Sequence, residues 1–437
     1  MIYTVKIHDT GIPGGVKAIA EALPEIAKLK TDDTVKFHFE QDFLYLTGLV
    51  LLAAWRKHLP SGVHVRVEDN WCSEPKRKLI TNTGFREIAE TGHEYASVQR
   101  RLGRIPLQPI TNRFNKEATV KEITSIFEEH AGHINDTEPF KVLLSELCEN
   151  VLAHSESTSP GYVCARVIES DHRDKVEIAI ADTGIGILES FLQGTNPHAR
   201  ERIKNGALSI DIAVEGLASS KPRAKPGDLY SYYGYGLFIT RRLVEENRGQ
   251  LTIMSGTELL KINWNESIHQ TLAQEWHGTF VGIVLDLANP LPLEEIYEEG
   301  TSLLVPQTQT STEEKSGKAL DKPLSITRAH EAKDVDDTGI VNVQLRHYGT
   351  ELLTREAGIA IRAEVASYLA GHKNVQVLLD GISDITPSVA DEAFGKLAEI
   401  IGFDQFSERV KFIKGTSVIY RLIDFVIKTR ARSQRMD

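Results

Sequence analysis

Apolar and polar residues alternate in short blocks along this chain, and the blocks predict a mixture of strands and helices. Thr34–Phe39 alternates as a half-buried strand does, and residues 63–67 repeat the pattern. Between them, residues 48–55 form an apolar run that predicts a buried helix. A strand, a helix and a second strand in this order are typical of a parallel βαβ crossover.

The C-terminal part of the chain repeats this order. Residues 375–380 predict a buried strand, residues 388–401 a helix and Val410–Ile413 a further strand. Upstream of them, residues 306–322 are rich in Thr, Ser, Glu and Lys and carry little apolar surface to offset the entropy of ordering. We therefore predict a flexible linker followed by a separate C-terminal domain.

The middle of the chain contains a predicted helix over residues 140–154 that mixes apolar and charged positions. Glu146 and Asn150 lie four residues apart and meet side by side at the edge of its apolar stripe. Polar groups beside a core are costly to bury unless they have partners, so this pair is either a satisfied buried pair or a functional one. Ser145 and Glu149 point away from the stripe, and we expect them to be exposed to solvent. The stripe comprises Leu143, Leu147 and Val151.

An apolar strand over residues 176–181 runs directly into Asp182. Gly184 and Gly186 follow it, and glycine permits positive φ and a close backbone approach that a Cβ would block. Taken singly, this pattern is also a plain turn after a strand. Its place downstream of the Asn150 helix makes it a candidate ligand-binding loop.

A long segment over residues 188–233 has one helical patch, near residues 207–217, and is otherwise polar and interrupted by Pro and Gly. Such a segment in a compact domain is usually functional or mobile. Three of its basic residues are candidates for phosphate contacts, with solvated loop charges as the alternative. They are Lys221, Arg223 and Lys225.

Glycines open the helix that is predicted after this segment and ends near residue 248. Gly234 and Gly236, followed by Leu237, would expose the amide groups of the helix N-terminus to an anion. Strands are predicted beyond the helix at residues 251–256 and 280–287. Thr279, which follows a glycine, comes directly before the second of these strands.

Three of these segments resemble, in order and spacing, the N, G1 and G2 boxes of the GHKL superfamily, which comprises gyrase, chaperone, histidine kinase and mismatch-repair ATPases. They are residues 145–155, 181–187 and 234–240. The resemblance implies a Bergerat-type α/β sandwich that binds ATP with Mg²⁺, and residues 188–233 would be its ATP lid. Tyr232 stands where the family has its first G2 glycine, which leaves the hinge of the lid open.

The resemblance also implies roles for individual residues. Asn150 would be the Mg²⁺ ligand, since this ion takes hard oxygen ligands. Glu146 would be the general base that orients and deprotonates a nucleophile beside the γ-phosphate. Asp182 would accept a hydrogen bond from the exocyclic amine of adenine. The remaining predicted nucleotide-binding residues are Gly184, Gly186, Lys221, Gly234, Gly236, Leu237 and Thr279.

Composition narrows the class of protein further. With 437 residues, of which 41% are hydrophobic and 25% charged, the chain suits a globular protein of several domains. Its net charge of −11 argues against nucleic acid as a partner. Three scattered cysteines fit a reducing compartment, and neither a signal peptide nor a membrane span is evident. We expect a cytoplasmic protein without membrane contact.

Both outer regions resemble STAS domains, the small α/β folds of sulfate-transporter tails and anti-sigma-factor antagonists. Residues 47–49 (Thr-Gly-Leu) retain part of the signature loop, and residues 384–392 carry the C-terminal match. Generic βαβ domains are the alternative. The predicted fold class is α/β, with the ATPase sandwich between two STAS-like domains. The predicted domains are residues 1–105 (STAS-like), 106–298 (GHKL ATPase), 299–323 (flexible linker) and 324–437 (STAS-like).

Two functions follow from this organisation. The first is a regulatory Mg-ATP-dependent ATPase, a homodimer whose lid closure repositions the flanking domains and the protein partners they bind. The second is a serine/threonine protein kinase of the anti-sigma-factor-kinase type, acting on STAS-like domains, with Thr47, Thr386 or Ser388 as acceptor. An ATP-sensing scaffold without turnover is a third hypothesis. A histidine kinase would need a pair of long heptad helices with an acceptor His, which residues 1–135 do not predict.

Overall fold

The structure is a computed structural model of the full chain, and its described part divides into two compact units. The first unit comprises the described residues up to Leu291, and the second those from Pro292 onward. The described residues are 1–8, 14–39, 46–93, 103–130, 137–154, 161–169, 173–194, 197–215, 235–303, 340–371 and 374–433.

The first unit begins with a parallel three-stranded sheet in the order β1-β2-β3. The predicted βαβ crossover is confirmed, because β2 and β3 pair in parallel on either side of the apolar helix α2. A 3₁₀ turn follows α1. The elements are β1 (Ile2–Ile7), α1 (Gly14–Ala22), the 3₁₀ turn Ile26–Lys28, β2 (Thr34–Phe39), α2 (Leu46–Arg56), β3 (His64–Glu68), α3 (Glu74–Asn82) and α4 (Phe85–Thr91).

An antiparallel five-stranded sheet in the order β4-β5-β6-β8-β7 forms the rest of the first unit. Its helices α5, α6 and α10 pack against one another in pairs and against the strands. This arrangement agrees with the predicted ATPase sandwich. The elements are β4 (Arg104–Ile110), α5 (Arg113–His130), α6 (Glu138–His154), β5 (Gly161–Ile168), β6 (Lys175–Ala181), α7 (Gly186–Gln193), α8 (Pro197–Lys204), α9 (Ser209–Glu215), α10 (Tyr235–Asn247), β7 (Gln250–Asn263) and β8 (Ser267–Asp286).

Helix α2 joins the two sheets into one core. It lies against β5 and β6, and every residue from Leu46 to Trp55 is buried. A helix that is apolar all round belongs in such a position, because no side of it meets water. Small side chains on the facing strands, Cys164, Ala179 and Ala181, leave room for the helix backbone. The region predicted as a separate N-terminal domain therefore shares its core with the ATPase sheet.

Strands β7 and β8 extend well beyond the predicted segments 251–256 and 280–287. The extension leaves the ATPase sheet as a two-stranded arm, and a register shift near Gly256 marks where it begins. The arm contacts α1, where the Ala273 amide donates to the Glu21 carboxylate at 2.8 Å. It thereby forms a second bridge between the two sheets.

The second unit contains another parallel three-stranded sheet, in the order β13-β11-β9. Its predicted βαβ crossover, from β11 to β13, is also confirmed. Helix α11 packs on α16. The elements are α11 (Leu293–Leu303), β9 (Ile340–Gln344), a 3₁₀ turn (Leu345–Tyr348), β10 (Glu351–Leu352), α12 (Arg355–Ala370), β11 (Asn374–Leu378), β12 (Asp384–Ile385), α13 (Pro387–Ala390), a π-helix (Asp391–Gly395), α14 (Lys396–Ile401), α15 (Phe403–Arg409), β13 (Val410–Ile413) and α16 (Ser417–Ser433).

The domain limits predicted at residues 298 and 299 fall inside α11, where Tyr297 stacks on Phe425 with ring centroids 5.8 Å apart. The rest of the predicted linker, residues 304–323, lies outside the described residues. The STAS-like character of both outer regions remains a prediction. None of the helices in the described part of the chain is both long and apolar enough to span a membrane.

Candidate nucleotide site

Helix α6 brings Glu146 and Asn150 to one side of the first unit, next to the start of α10. Glu146 is 8% exposed and Asn150 is partly buried. Gly236 of α10 lies directly against both: a Cβ built there would be 3.2 Å from Glu146 Cβ and 3.3 Å from Asn150 Nδ2. The structure thus joins two of the predicted boxes, and it explains why the second residue of α10 has no side chain.

The predicted exposure of Ser145 and Glu149 is wrong. Both are buried, because α5 packs on that face of α6 and inserts Lys116. The Lys116 ammonium donates to Glu149 at 2.9 Å and to Ser145 Oγ at 3.4 Å, and the lysine itself is 1% exposed. Helical periodicity alone gives no sign of Lys116, since a lysine early in a mixed helix usually lies at the surface.

Asp182 is held at the end of β6, as the sequence predicts. Its Oδ1 accepts hydrogen bonds from the amides of Gly184 at 2.8 Å and Thr279 at 3.2 Å. Burial raises the pKa of this carboxyl to about 6, although both amide hydrogen bonds oppose the shift. None of the described residues donates to Oδ2, so this oxygen is available as an acceptor for a ligand.

Gly184 and Thr279, predicted to bind the nucleotide, contribute here by fixing Asp182. The backbone of residue 279 does so twice, because its carbonyl also accepts from the Asp182 amide at 2.9 Å. Strand β8 therefore clamps the end of β6. These contacts determine which way the carboxylate faces, and direct contact of either residue with a nucleotide remains a prediction.

Two glycines make this clamp possible. Gly186 has φ of +75°, and a Cβ there would lie 2.8 Å from Ser255 Oγ and 3.2 Å from the Gly278 carbonyl oxygen. Gly278 has φ of +105°, and its Cβ would lie 2.3 Å from the Asp182 carbonyl oxygen. Both positions exclude side chains for reasons of backbone strain and protein contact. A side chain at Gly186 would therefore disturb the loop through contacts within the protein itself, independently of any ligand.

Two contributors to this site were not predicted. Gly161 starts β5, and a Cβ there would lie 2.5 Å from Val151 Cγ1 and 3.5 Å from Asp182 Cβ. Because glycine has no Cβ, α6 can lie close to Asp182. Ser255 links the loop to the sheet, accepting from the Ile187 amide at 2.9 Å and donating to the Gly278 carbonyl at 2.8 Å. A glycine at the start of a predicted strand is a weak signal that could have indicated Gly161. The sequence carries no comparable signal for Ser255.

The remaining predicted residues divide into one that the structure describes and several that it does not. Leu237 is described, and it packs with a small apolar cluster that includes Phe191 and Ile212. The basic residues of the predicted lid and the residues at its predicted hinge lie outside the described part of the chain. Those outside the described residues are Lys221, Arg223, Lys225, Tyr232 and Gly234.

The donor set around α6 can be tested against a metal. Within the described ranges, no group of three or more His, Cys, Asp or Glu side chains could hold a metal ion. The oxygen ligands offered near Gly236 are the Asn150 amide and the Glu146 carboxylate. This small, hard donor set fits Mg²⁺, which usually keeps several waters and takes its other ligands from substrate phosphates.

Comparison with known families assigns this part of the chain. Residues 135–288 match the family described as "Histidine kinase-, DNA gyrase B-, and HSP90-like ATPase". The match spans α6, α10 and the strands β5 to β8, which carry the residues that converge on Asp182 and Gly236. The chain therefore contains a GHKL-type ATPase domain, and ATP binding is implied by that domain.

Individual relatives are similar over a part of the chain of comparable length. The chain is 26% identical over 153 residues to "Histidine protein kinase SaeS" of Staphylococcus aureus strain USA300, and equally so to its counterpart in strain NCTC 8325 / PS 47. The alignment covers 35% of this chain and 37% of the relative, so it spans little more than a third of each protein. No solved structure matches the chain significantly.

Proposed function

We propose that this protein is a regulatory Mg-ATP-dependent ATPase in which closure over the nucleotide changes the arrangement of the flanking STAS-like regions, within a homodimer. The observation that carries the proposal is the contact of Gly236 with both Glu146 and Asn150. It brings a candidate base, a candidate metal ligand and the N-terminus of α10 together, beside which a polyphosphate would be stabilised.

Each residue has a separate task in this proposal. Asp182 Oδ2 would accept from the adenine amine, because Oδ1 is already engaged by two amides. Asn150 would hold Mg²⁺, which when bound neutralises charge on the phosphates. Glu146, one helical turn before Asn150, would orient a water molecule and accept its proton. The amides at the start of α10 would contact phosphate oxygens.

A serine/threonine kinase is the second candidate, and the similarity to a protein named as a kinase favours transfer of phosphate to protein. Its suggested acceptors are poorly accessible. Thr47 is 0% exposed within α2, and Thr386 and Ser388 are 0% and 7% exposed. The Thr386 hydroxyl also caps α13 by accepting from the Val389 amide at 3.3 Å. Each hydroxyl would need local unfolding to reach a γ-phosphate, which disfavours this candidate.

A histidine kinase needs a long helical hairpin with an acceptor histidine. Among the described residues before 135, only α5 exceeds eleven residues, and it packs on α6 and β4 within the ATPase domain. The similarity to the named relative covers 153 residues, which is 37% of that protein. We therefore extend from that relative no more than nucleotide-dependent regulation.

The fate of the γ-phosphate tests the proposal. Purified protein incubated with γ-labelled ATP should release free phosphate and retain no stable label on protein. Glu146→Ala should keep ATP binding and lose about 10²–10⁴-fold in hydrolysis, as expected for a lost general base. Glu128→Ala, an exposed glutamate on the neighbouring α5, is the matched control and should hydrolyse normally.

Asn150→Ala should instead weaken ATP binding only when Mg²⁺ is present, which titration calorimetry with and without chelator would measure. Normal hydrolysis by Glu146→Ala would make that residue a structural carboxylate. Stoichiometric label on Thr47, Thr386 or Ser388, located by mass spectrometry, would replace the ATPase with the kinase.

A further inference from the structure

The seven-residue helix α9 packs against α7 and α10, and its own sequence does not cap it. Leu208 occupies the N-cap position, because its carbonyl accepts the first bond of the helix from the Ile212 amide at 3.3 Å. A leucine side chain cannot accept a hydrogen bond, so the first amides of α9 need a partner from elsewhere in the chain. A helix this short is also marginal without outside support.

The partner is Glu258, on strand β7 of the arm. Its carboxylate accepts hydrogen bonds from the Ser209 amide at 3.0 Å, the Ser209 hydroxyl at 3.1 Å and the Ile210 amide at 2.9 Å. Hydrogen bonds to a carboxylate are stronger than neutral ones, and a negative charge is favoured at the positive end of a helix. The other strand of the arm adds a second contact, between His269 Nε2 and the Asp211 carboxylate at 3.4 Å. The arm therefore supplies the cap that α9 lacks.

Helix α9 in turn supports both close-contact glycines of the nucleotide site. Ile212 on α9 is buried in a small apolar cluster, and Ile187 and Leu237 pack against that cluster. Ile187 directly follows Gly186, and Leu237 directly follows Gly236. A displacement of α9 would therefore disturb the residue next to each glycine, and with it the two places where the site is most tightly packed.

The arm is also anchored to the N-terminal elements. Leu259 and Trp276 are buried in an apolar cluster that contains the core residues of α1 and α2. The Ala273 amide of β8 donates to the Glu21 carboxylate of α1 at 2.8 Å. Because successive residues of a strand point to opposite faces, Glu258 can hold α9 while Leu259, its neighbour, packs in the N-terminal core. The arm thus contacts the N-terminal elements and α9 at the same time.

We propose that Glu258 is a positioning residue of the nucleotide site, and that the arm couples the N-terminal elements to this site. Glu21 fixes the arm, Glu258 fixes α9, and α9 fixes the residues that follow Gly186 and Gly236. A change at α1 then alters nucleotide affinity, and bound nucleotide alters the N-terminal elements by the same factor. The capping of α9 is independent of the proposed ATPase function, whereas the effect on nucleotide affinity rests on it.

Hydrogen exchange of the full chain tests the capping of α9. Glu258→Ala should raise the exchange rates of the α9 amides about tenfold, because the helix loses its cap. Leu208→Asp provides a cap within the helix itself, and adding it to Glu258→Ala should restore the slow exchange of the parent chain. Glu275→Ala, at an exposed position on β8 of the arm, is the matched control and should leave the rates unchanged. Unchanged exchange in Glu258→Ala would overturn the proposal.

Titration calorimetry with Mg²⁺ and a non-hydrolysable ATP analogue distinguishes a positioning role from a purely structural one. Glu258→Ala should weaken binding of the analogue about fivefold, within the usual range of coupling between sites. Glu258→Ala combined with Leu208→Asp should bind like the parent chain, and so should Glu275→Ala. Faster exchange of α9 with unchanged affinity would make Glu258 a structural cap only. Affinity that stays low after the exchange rates of α9 are restored would also overturn the positioning role.

A double-mutant cycle tests the coupling through the arm. Glu21→Ala removes the hydrogen bond between α1 and the arm and should weaken binding of the analogue about threefold. In a chain that already carries Glu258→Ala it should have little further effect, because the arm has lost its main contact with α9. Glu25→Ala, at an exposed residue that pairs with Lys28 in the 3₁₀ turn, is the control and should not change binding. Equal effects of Glu21→Ala in both chains, or no effect in either, would overturn the coupling.

The same measurements separate failure of this inference from failure of the proposed function. If the analogue binds the parent chain and every variant equally, the nucleotide site stands and the positioning role of Glu258 is wrong. If the analogue does not bind the parent chain, the proposed ATPase function fails and the positioning role fails with it. Hydrogen exchange then still decides whether Glu258 caps α9.

Discussion

The two parallel three-stranded sheets share one topology and bury their crossover helices by opposite means. In both, the second strand is central and the helix after it leads to the third strand. In the first unit that helix is α2, whose ten residues from Leu46 to Trp55 are buried and uncharged. In the second unit the helical segment from Asp391 to Ile401 buries charges instead.

The charges in the second unit form a paired network. Glu392 is 0% exposed and contacts Arg362 at 2.6 Å and Lys396 at 2.7 Å, and Arg355 lies 3.7 Å away. Burying such a cluster is tolerable only because each charge has opposite partners. The π-helix begins one residue earlier, at Asp391, which the fully buried Arg430 holds at 2.6 and 2.8 Å.

In the first unit an ion pair lies near the start of α2. Glu177 on β6 accepts from Arg166 at 2.7 Å and faces the amide of Thr47 at 3.4 Å, where the positive end of the helix dipole lies. The difference between the units follows from what covers each helix. Helix α2 lies against a second sheet, so its outer side is core. The second unit closes its crossover helix with charged groups of its own α12 and α16.

The largest expected effect breaks the network of the second unit. Glu392→Ala would leave Lys396, Arg355 and Arg362 buried without their common carboxylate, at a cost of about 3–5 kcal/mol. All four tryptophans lie in the first unit, so their fluorescence should not report this change. Hydrogen exchange of the second unit should report it. Glu408→Ala, exposed on α15, is the control and should change neither signal.

An unchanged exchange rate in Glu392→Ala would mean that the network contributes specificity rather than stability. A shift of the tryptophan signal in that variant would show that the first unit loses stability together with the second.

The next effect concerns the apolar helix of the first unit. Leu51 is 0% exposed, and Leu51→Ala should cost about 2–4 kcal/mol through lost burial and a residual cavity between the sheets. Because α2 contacts β5 and β6, the loss should appear as one shifted tryptophan transition for the N-terminal elements and the ATPase sheet together. Leu188→Ala, at a position 38% exposed, is the matched control and should cost much less.

Two separate transitions in Leu51→Ala, one for the N-terminal elements and one for the ATPase sheet, would show that the two do not share a cooperative core. Denaturant melts followed by both fluorescence and far-UV circular dichroism would reveal such a split.

Local patterning predicted the elements of this fold better than their packing. The alternation in Thr34–Phe39 and Val410–Ile413 gave both strands with their observed bounds. It did not give the arm of β7 and β8, because Gly256, the polar residues there and the register shift interrupt the period. Nor could periodicity indicate that α2 lies between two sheets, although an all-apolar helix is the usual sign of burial on every side.

The candidate site divides in the same way. The position of Asp182 was predictable because an apolar strand runs directly into it, and Gly186 and Gly236 lie where neighbouring groups leave little room for a side chain. Their contact with a nucleotide stays a prediction. Lys116 was not, since its buried pairing with Glu149 depends on how α5 packs against α6. A sequence motif indicates the backbone geometry that one segment requires. The side chains that pair across distant segments become known only from the folded structure.

The smallest expected effect compares the two buried aspartates. Asp391 is paired with Arg430, whereas the partners of Asp182 among the described residues are backbone amides, and burial raises the pKa of Asp182 from 3.8 to about 6. A raised carboxyl pKa means that the folded state binds the proton more tightly, so stability falls as pH rises from about 4 to about 6. Asp182→Asn removes this penalty, and the unliganded variant should be about 1–3 kcal/mol more stable than the parent at pH 7. The difference should shrink toward zero near pH 4. Tryptophan-monitored denaturation across this range measures it, with Glu189→Gln, an exposed carboxylate on α7, as control. A pH-independent difference would show that the buried carboxylate stays ionised through hydrogen bonds alone.

The same variant should lose ATP affinity at pH 7, because the amide group presents a donor where adenine requires an acceptor. Stability gained together with binding lost would identify Asp182 as a buried charge retained for its ligand, unlike Asp391, which the fold itself neutralises.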